Sequence, residues 1–467
     1  MLSLTDKSNY TSTFLKTIFY ILVLNVIVFS LINIFTSNLS DTIILLICAI
    51  PIVIIFLFNF NIIYGMLLIS LFIQFYFGFT SSVWFSLFVI ISLLITYKNI
   101  SINDFKSPLN YSFIIYLISI LPSFINAQRP FTSLIMLYHL VALFLIFTIT
   151  KLYFDSENKI SFLLKGYLAL VLLNTITIFI QSIFESKRTY GFAGIMYVDY
   201  VGVAIMISVV HLTFTKGVKK ILWFMLLSIF VTGLIFTQTR SAWLVSGFSI
   251  LLFVSFLFYK SNRFNLNRFK LIFNSAFIVV VIIIIYLAAT EFNPKIAERA
   301  TEYASSEQAL DKRGYAVNSL VSRMLIWSTA YNAFMAHPIA GIGLYSFPYT
   351  SYLFNKLPKY LFDEYVSGLT AHLTYLAVIV ETGIIGLIGF LIFIYSILKN
   401  NFKLLNNSQE KQFNILNLSV GWGIIYIMIS MFVTDAWLWG QGIILFGIFI
   451  GLMLAMLKLN IEPNKSE

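Results

Sequence analysis

Three basic side chains stand out because the long segments around them carry almost no charge. Arg240 lies in the stretch FTQTRSAWLV, residues 236–245, between two apolar runs. Arg323 lies in a later, more polar segment, and His372 follows that segment. A planar guanidinium can hold two phosphate oxygens at once, and a neutral imidazole can accept a hydroxyl proton near pH 7. These residue types could therefore bind a diphosphate and activate a hydroxyl group.

Each of the three residues also has a structural interpretation, which the sequence leaves open. Arg240 could be an interfacial arginine that reaches lipid phosphates, and Arg323 could be a solvated residue on an amphipathic helix. His372 could cap a helix or supply polarity at the membrane interface. If Thr370 is the N-cap, His372 falls in the first helical turn, where the helix dipole favours a neutral imidazole.

The other histidines and Glu381 are expected to have structural roles. His139 and His211 lie within or near the ends of apolar runs, which indicates buried neutral side chains. His337 belongs to a helix-ending His-Pro pair. Glu381 lies nine residues after the candidate base, so on a regular helix it faces away from that base. We expect Glu381 to contact another helix through a lysine or through the backbone.

Aromatic side chains follow the second arginine. Trp327 lies one helical turn after Arg323, and there are eight Phe or Tyr residues from Tyr345 to Tyr365. Such residues are typical of a membrane-interface belt, and they could also stack against sugar rings. Trp327, Tyr345 and Tyr349 are the candidate sugar or acceptor contacts. The sequence has no Asp-x-Asp pair, so neither a metal ion nor another cofactor is predicted.

These side chains must be positioned by membrane-spanning helices. The chain has 467 residues, of which 60% are hydrophobic and 10% charged, with a mean hydropathy of +0.92, whereas soluble domains carry about 25% charged residues. The apolar runs cover residues 14–35, 42–58, 61–79, 81–97, 108–125, 131–150, 160–182, 199–215, 221–237, 241–259, 271–290, 372–398, 414–433 and 441–458. Because a helix crosses the bilayer with about 20 apolar residues, we predict an all-α, polytopic integral membrane helix bundle with about 12–14 transmembrane helices.

The basic residues indicate the orientation of this bundle. One set of alternate loops and termini holds 19 of the 30 Lys and Arg residues, whereas the short loops of the other set hold only Arg129, Lys187, Arg188 and Arg240. Because cytoplasmic loops collect Lys and Arg, both termini are predicted to be cytoplasmic. The Arg240 turn and the long loop 291–371 are then extracytoplasmic. The net charge of +11 reflects this topology rather than nucleic-acid binding.

The predicted organisation has four parts: N-terminal transmembrane helices (1–190), transmembrane helices carrying Arg240 (191–290), one mainly helical extracytoplasmic loop domain (291–371), and C-terminal transmembrane helices starting at His372 (372–467). Within the loop domain, SLVSRMLIWSTAYNAFMA has helical periodicity, and the helix is expected to end at Pro338. The single cysteine, Cys48, lies in an apolar run, so no disulfide is predicted.

Three stretches contain the candidate residues in a fixed order: TQTRSAWL, SRMLIWSTAYNAFMAHPIAGIGLYSF and AHLTYLAVIVETGIIGLIGFL. Together they resemble the O-antigen ligase and Wzy-type polymerase family, whose members are multi-pass glycosyltransferases. They use a polyprenyl-diphosphate-linked glycan outside the cytoplasmic membrane, without a metal ion. The resemblance implies that Arg240 and Arg323 hold the diphosphate and that His372 activates the acceptor hydroxyl. Ala371 stands where family ligases often have a second polar group, so a single base is expected.

The resemblance predicts a surface-polysaccharide polymerase of the cytoplasmic (inner) membrane, a metal-independent inverting glycosyltransferase with a lipid-linked acceptor. The alternative is an O-antigen ligase that transfers the glycan to a different acceptor, such as lipid A core. A transporter or a lipid-linked sugar flippase is disfavoured, because the apolar runs are nearly free of charge at mid-depth. The implied partners are the polyprenyl-diphosphate-linked glycan, the lipid bilayer, a flippase and a chain-length regulator, and no nucleic acid is expected.

Overall fold

The computed structural model describes residues 107–184, 189–191, 197–264, 266–297, 319–406, 411–435 and 440–461. Several sequence predictions concern residues outside these ranges: the apolar runs 14–35, 42–58, 61–79 and 81–97, the residues Cys48, Lys187 and Arg188, and part of the loop domain, residues 298–318. The total number of transmembrane helices therefore stays a prediction.

The described part of the chain is helical and contains no strand. In chain order its main α-helices are α1 (Pro108–Ile120), α2 (Pro130–Tyr153), α3 (Glu157–Phe184), α4 (Tyr197–Phe214), α5 (Val218–Phe236), α6 (Arg240–Tyr259), α7 (Arg268–Phe292), α8 (Ser319–Ala336), α9 (Phe347–Thr350), α10 (Lys359–Tyr365), α11 (Thr374–Asn406), α12 (Lys411–Ser430) and α13 (Gly440–Ile461). Short 3-10 helices follow α1 (Leu121–Asn126) and α9 (Ser351–Phe354).

The composition of these helices fits a membrane. Within the described residues, nine helices are long and apolar enough to cross a bilayer, and a further apolar helix, Ile415–Ser430, is shorter. Each predicted apolar run that falls in the described ranges corresponds to one of these helices. The protein is therefore a polytopic all-α membrane protein, as the sequence predicted.

Helix α4 lies at the centre of the described bundle. It packs against α3, α5, α6 and α12, and almost all of its side chains are buried. Gly202 of α4 lies against the ring of Tyr426 from α12, where a Cβ atom would be only 1.8 Å from the Tyr426 Cζ atom. Elsewhere α1 packs against α11, and α2 packs against α13. Helix α4 thus fixes the relative positions of α6 and α12, which lead to candidate site residues.

Successive long helices cross the bundle in opposite directions, so alternate connecting segments lie at the same end. We call one end the site end, and it contains residues 127–129, 237–239, 337–373 and 431–435. The side-chain amide of Asn126 donates to the carbonyl of Gly341 (2.9 Å), which joins two of these segments. Thr374 directly follows residues 337–373, and its N–H donates to the carbonyl of Met431 (3.0 Å), which joins that same segment to residues 431–435. The connections at 154–156, 215–217 and 260–264 lie at the opposite end.

Helix α11 bends sharply at Gly383, whose φ of 67° and ψ of −169° are not helical. The rings of Tyr375 and Phe390 have centroids 5.5 Å apart, although the same number of residues in a straight helix would span ~22 Å. The bend removes the usual partners of several backbone N–H and carbonyl groups. At membrane depth such groups must find other partners within the protein.

Residues 338–343 supply those partners. Four backbone hydrogen bonds join this segment to α11: Ile342 N–H to the Val380 carbonyl (3.2 Å), Gly343 N–H to Glu381 (3.0 Å), Ile384 N–H to Pro338 (2.9 Å) and Ile385 N–H to Ile339 (3.3 Å). We call residues 338–343 together with 380–385 the clasp. A Cβ atom at Gly341, which has φ 72°, would lie 2.3 Å from the Glu381 carbonyl oxygen. Only glycine fits this approach.

The helix predicted before Pro338 is present as α8. It packs against α11, α10 and the 3-10 helix Ser351–Phe354. The side-chain amide of Asn332 on α8 donates to the carbonyl of Phe354 (3.3 Å). The segment before α11 is therefore folded onto the site end of the bundle.

Candidate functional site

Glu381 connects the clasp to the loop that carries two candidate tyrosines. Its side chain is 1% exposed, and its carboxylate accepts the backbone N–H of Tyr345 (2.7 Å) and that of Phe347. The predicted structural contact of Glu381 with the backbone is confirmed. The assumption of a regular helix from His372 to Glu381 was wrong, because α11 begins only at Thr374.

Tyr345 and Tyr349 form an aromatic pair, with ring centroids 6.1 Å apart and planes at 76°. The guanidinium carbon of Arg129, from the turn between α1 and α2, lies 4.6 Å from the centroid of the Tyr349 ring. Burial raises the pKa of Tyr345 to about 12, and Tyr349, Glu381 and Asp435 act in the same direction. Tyr345 therefore keeps its hydroxyl proton at neutral pH, and it lies within electrostatic reach of Asp435.

His372 lies just before α11 and beside Asp435, which follows α12. The His372 Nδ1 atom is 4.0 Å from the Asp435 Oδ2 atom, and the carboxylate is more deeply buried than the imidazole. The same carboxylate oxygen accepts a hydrogen bond from the hydroxyl of Thr370. This arrangement places a negative charge next to one imidazole nitrogen and leaves His372 partly exposed.

The protonation of His372 depends on three influences. Burial lowers the pKa of His372 below its ordinary value of 6.5, Asp435 acts to raise it, and Arg323 acts to lower it. Arg323 lies on a different element, α8, but close enough for its charge to act on His372. A lowered pKa keeps the imidazole neutral at pH 7, which is the form that can accept a proton.

The predicted position of His372 in the first turn of a helix was wrong. Helix α11 begins at Thr374, and His372 has a φ of 56°, in the left-handed region. The hydroxyl of Thr370 donates to Asp435 instead of accepting from the helix as an N-cap would. The neutral imidazole is therefore favoured by burial and by Arg323 rather than by an enclosing helix turn.

Arg240 is the first residue of α6, at the site end. Its side chain is partly buried, and its Nη1 atom is fully buried. Ser246, in the second turn of α6, lies 3.5 Å from the Tyr426 hydroxyl of α12, and α12 leads directly to Asp435. The start of α6 fixes the position of the Arg240 backbone. The predicted meeting of its guanidinium with Arg323 and His372 stays a prediction.

Trp327 lies one turn after Arg323 on α8, at the spacing that the sequence indicated. Its side chain is partly buried, and its Nε1 atom is buried without a hydrogen-bond partner among the described residues. A buried indole N–H normally has a partner. The position of Trp327 is consistent with a contact to a ligand oxygen, and its predicted role as a sugar contact stays a prediction.

Backbone strain is concentrated at the site end. Among the described residues, three that are not glycine have φ in the left-handed region: Gln238 (52°), Tyr345 (55°) and His372 (56°). Such conformations are uncommon outside glycine, and they cluster at ligand-binding and catalytic sites. All three lie in the segments that carry the candidate residues, which supports a functional site at this end.

Sequence reasoning did not identify Asp435 and Arg129 as site residues. The signal that singled out Arg240, an isolated charge in a tight connection between apolar runs, was equally present at Arg129. Asp435 directly follows the apolar run 414–433. Its approach to His372 depends on how α11 packs against α12, and no local sequence pattern predicts that packing.

The remaining histidines lie in structural surroundings. His211 stacks on Trp223 with centroids 4.0 Å apart, near the opposite end of the bundle. His337 meets Phe354 edge to face, with centroids 5.9 Å apart, beside the clasp. The ring of His139 within α2 lies 5.9 Å from that of Tyr138.

The fold and the site define the class: a multi-pass helical membrane protein with a histidine, a carboxylate and an arginine grouped at one end. Residues 222–391 match the family described as O-Antigen ligase. This part of the chain is therefore similar to the O-antigen ligase family, in agreement with the resemblance that the sequence motifs show. The matched stretch includes Arg240, Arg323 and His372, and it ends before Asp435. No curated protein matches the chain.

Proposed function

We propose that the protein is a surface-polysaccharide polymerase. It transfers a glycan from a polyprenyl-diphosphate donor to a sugar hydroxyl of a lipid-linked acceptor. The observation that carries the proposal is the grouping of His372, Asp435 and Arg323 at one end of a membrane bundle. The distribution of basic residues supports an orientation in which this end faces the outside of the cytoplasmic membrane.

In this proposal His372 is the general base. The acceptor hydroxyl gives its proton to the neutral imidazole, and its oxygen forms a bond to the anomeric carbon of the donor. The bond from that carbon to the diphosphate breaks, and polyprenyl diphosphate leaves with the bonding electrons. Attack from the opposite face inverts the anomeric centre. Asp435 stabilises the imidazolium that forms, as an acidic partner does for other catalytic histidines.

Arg323 and Arg240 are proposed to hold the diphosphate. Negative charge develops on the oxygen that leaves the anomeric carbon, and fixed guanidinium groups stabilise this charge better than mobile water does. The charge of Arg323 acts on His372, so a diphosphate bound to Arg323 would lie near the base. The polyprenyl chain would then extend between helices into the bilayer.

The aromatic side chains at the site end are proposed to contact the sugars. Tyr345 and Tyr349 present two rings at a steep angle, and Arg129 lies against one of them. Trp327 adds a buried N–H donor. Rings and neutral donors of this kind suit uncharged sugar faces and hydroxyl groups.

The second candidate function is an O-antigen ligase, which the description of the matched family favours. A ligase would use the same donor and transfer its glycan to a different acceptor, such as lipid A core. We place the polymerase first because one class of lipid-linked substrate then serves as both donor and acceptor. Purified protein supplied with defined lipid-linked repeats separates the two: a ladder of longer chains indicates a polymerase, and transfer only to another acceptor indicates a ligase.

A flippase that delivers the donor and a chain-length regulator are the partners we propose.

The site is tested by replacing His372, Arg240 and Arg323 with alanine, one at a time, and measuring glycan transfer in that reconstituted reaction. We expect each change to reduce the rate by about 10² or more, since a general base or a fixed charge donor contributes on that scale. The matched control is Arg263→Ala. Arg263 lies at the opposite end, where its guanidinium binds Asn406 (3.2 Å), and its loss should leave transfer unchanged. Full transfer by all three site variants at normal protein level would exclude this site.

A further inference from the structure

Gln238, in the turn between α5 and α6, has a buried amide nitrogen to which no described residue bonds. The side chain is 5% exposed. Its Nε2 atom is buried and has no hydrogen-bond partner among the described residues. Unsatisfied buried donors of this kind are rare, and each calls for a physical explanation. A ligand oxygen at this position would provide one.

The backbone at Gln238 supplies a second, independent observation. Its φ of 52° lies in the left-handed region, where a long side chain without a local hydrogen bond is unfavourable. The residue is held there by the turn, in which the Gln238 N–H donates to the carbonyl of Ile235 (3.0 Å). Glycine would relieve this strain, so the glutamine side chain is expected to have a role that offsets it.

The surroundings of Gln238 indicate the chemical class of that ligand. Two residues later Arg240 begins α6, a helix of 20 residues. The hydroxyl of Thr239 donates to the carbonyl of Thr237 (3.1 Å) and does not cap the helix. The positive end of the helix dipole, the guanidinium and the amide thus occupy one short segment, a combination that suits a phosphate group.

We propose that the amide nitrogen of Gln238 donates a hydrogen bond to a phosphate oxygen of the polyprenyl-diphosphate donor, beside Arg240 at the start of α6. The inference rests on the proposed function and adds a neutral donor to its two arginines. The contact is made by the diphosphate and not by the glycan. It therefore contributes to binding of any donor that carries the same lipid diphosphate.

The test uses the full-length protein purified in detergent, and the probe is a polyprenyl diphosphate without glycan. Gln238→Leu keeps a side chain of similar size and removes the amide, whereas Gln238→Gly removes the amide and the strain. We expect either change to weaken binding of the probe tenfold or more, because the lost bond is to a charged group. Without ligand, the thermal unfolding midpoint should stay the same or rise, since a buried unsatisfied group is removed.

The matched control is Asn417→Leu. Asn417 on α12 also has a fully buried amide without a partner among the described residues, but it lies far from the site end. Its loss should leave binding of the probe unchanged. The proposal is overturned if both Gln238 variants bind the probe as the wild type does, if they weaken only donors that carry glycan, or if both lower the unfolding midpoint. If the wild type itself does not bind the probe, the proposed function fails as well.

Discussion

At the scale of single residues, the proposed role of His372 as a base depends on the charges next to it. Asp435 and Arg323 act on the same imidazole in opposite directions, and burial adds to the effect of Arg323. A base with a lowered pKa remains neutral over a wider range of pH. Such a base is also weaker, so in the proposed mechanism Asp435 stabilises the protonated form of His372.

This balance predicts how transfer depends on pH. The wild-type rate should fall only at acidic pH, because burial and Arg323 lower the pKa of His372 below its ordinary value. Arg323→Gln removes a positive charge, so the pKa of His372 rises and the acid limb of the rate profile moves to higher pH. Asp435→Asn removes a negative charge, so that pKa falls and the limb moves to lower pH.

The measurement is the relative rate of transfer as a function of pH for the three purified proteins, with each profile scaled to its own plateau. Scaling separates the shift of the limb from the loss of overall rate that both variants are expected to show. Limbs that move in the same direction in both variants would contradict a direct charge effect on His372.

At the scale of structural elements, the bend of α11 and the clasp explain why this part of the sequence is rich in glycine. Gly341 and Gly383 both have positive φ, and each approaches backbone atoms of the opposite segment of the clasp, with Cβ positions 2.3 Å and 2.2 Å from a carbonyl oxygen. The clasp satisfies the backbone groups that the bend exposes. It also brings Glu381 under the loop that carries Tyr345.

Replacing Gly341 with alanine should therefore destabilise the protein strongly. The new Cβ atom would overlap the Glu381 carbonyl in addition to straining a left-handed residue, so we expect a loss of about 3 kcal/mol or more. Gly368→Ala is the matched control. Gly368 has φ 75° and nothing within 4 Å of its Cβ position, so only the strain of about 1 kcal/mol applies. Unfolding midpoints in detergent compare the two, and equal losses would show that the clasp is not closely packed.

Glu381 gives a second prediction at this scale. Alanine at position 381 leaves two buried backbone N–H groups without their acceptor, which should cost about 2–5 kcal/mol. Glutamine retains one acceptor oxygen, so Glu381→Gln should lose clearly less stability and transfer activity than Glu381→Ala. Thermal unfolding and transfer assays on both variants test this order. If glutamine were as damaging as alanine, the negative charge rather than the hydrogen bonds would be the important property.

At the scale of the whole molecule, the sequence predicted the helical membrane fold well. The length and apolar composition of each run are enough to indicate a membrane-spanning helix. The ends of α2, α6 and α8 agree with their predicted runs to within a few residues. The candidate site was predicted less completely. His372 and Arg323 were singled out as candidates by residue type. The bend at Gly383 and the approach of Asp435 depend on contacts between distant elements, and local sequence patterns do not predict those contacts.

The orientation of the molecule can be tested with cysteine labelling. In a variant with Cys48 replaced by alanine, a cysteine at Ser367 should react with a membrane-impermeant maleimide in intact spheroplasts. A cysteine at Asn262, in the connection between α6 and α7, should react only after the membrane is opened. Both native residues are exposed, and α7 separates them by one crossing. The reverse pattern would place the site end in the cytoplasm.

The clasp also limits which segments related proteins can exchange during evolution or engineering. Because residues 338–343 complete the backbone hydrogen bonds of α11, a segment that contains them and is transplanted alone from a related protein would lack the helix with which it must pair. A chimera joined at residues 371 and 372 would take the two segments of the clasp, residues 338–343 and 380–385, from different proteins. A chimera whose junction lies beyond residue 385 would take both segments of the clasp from one protein. Its donor preference should be that of the protein that supplied them.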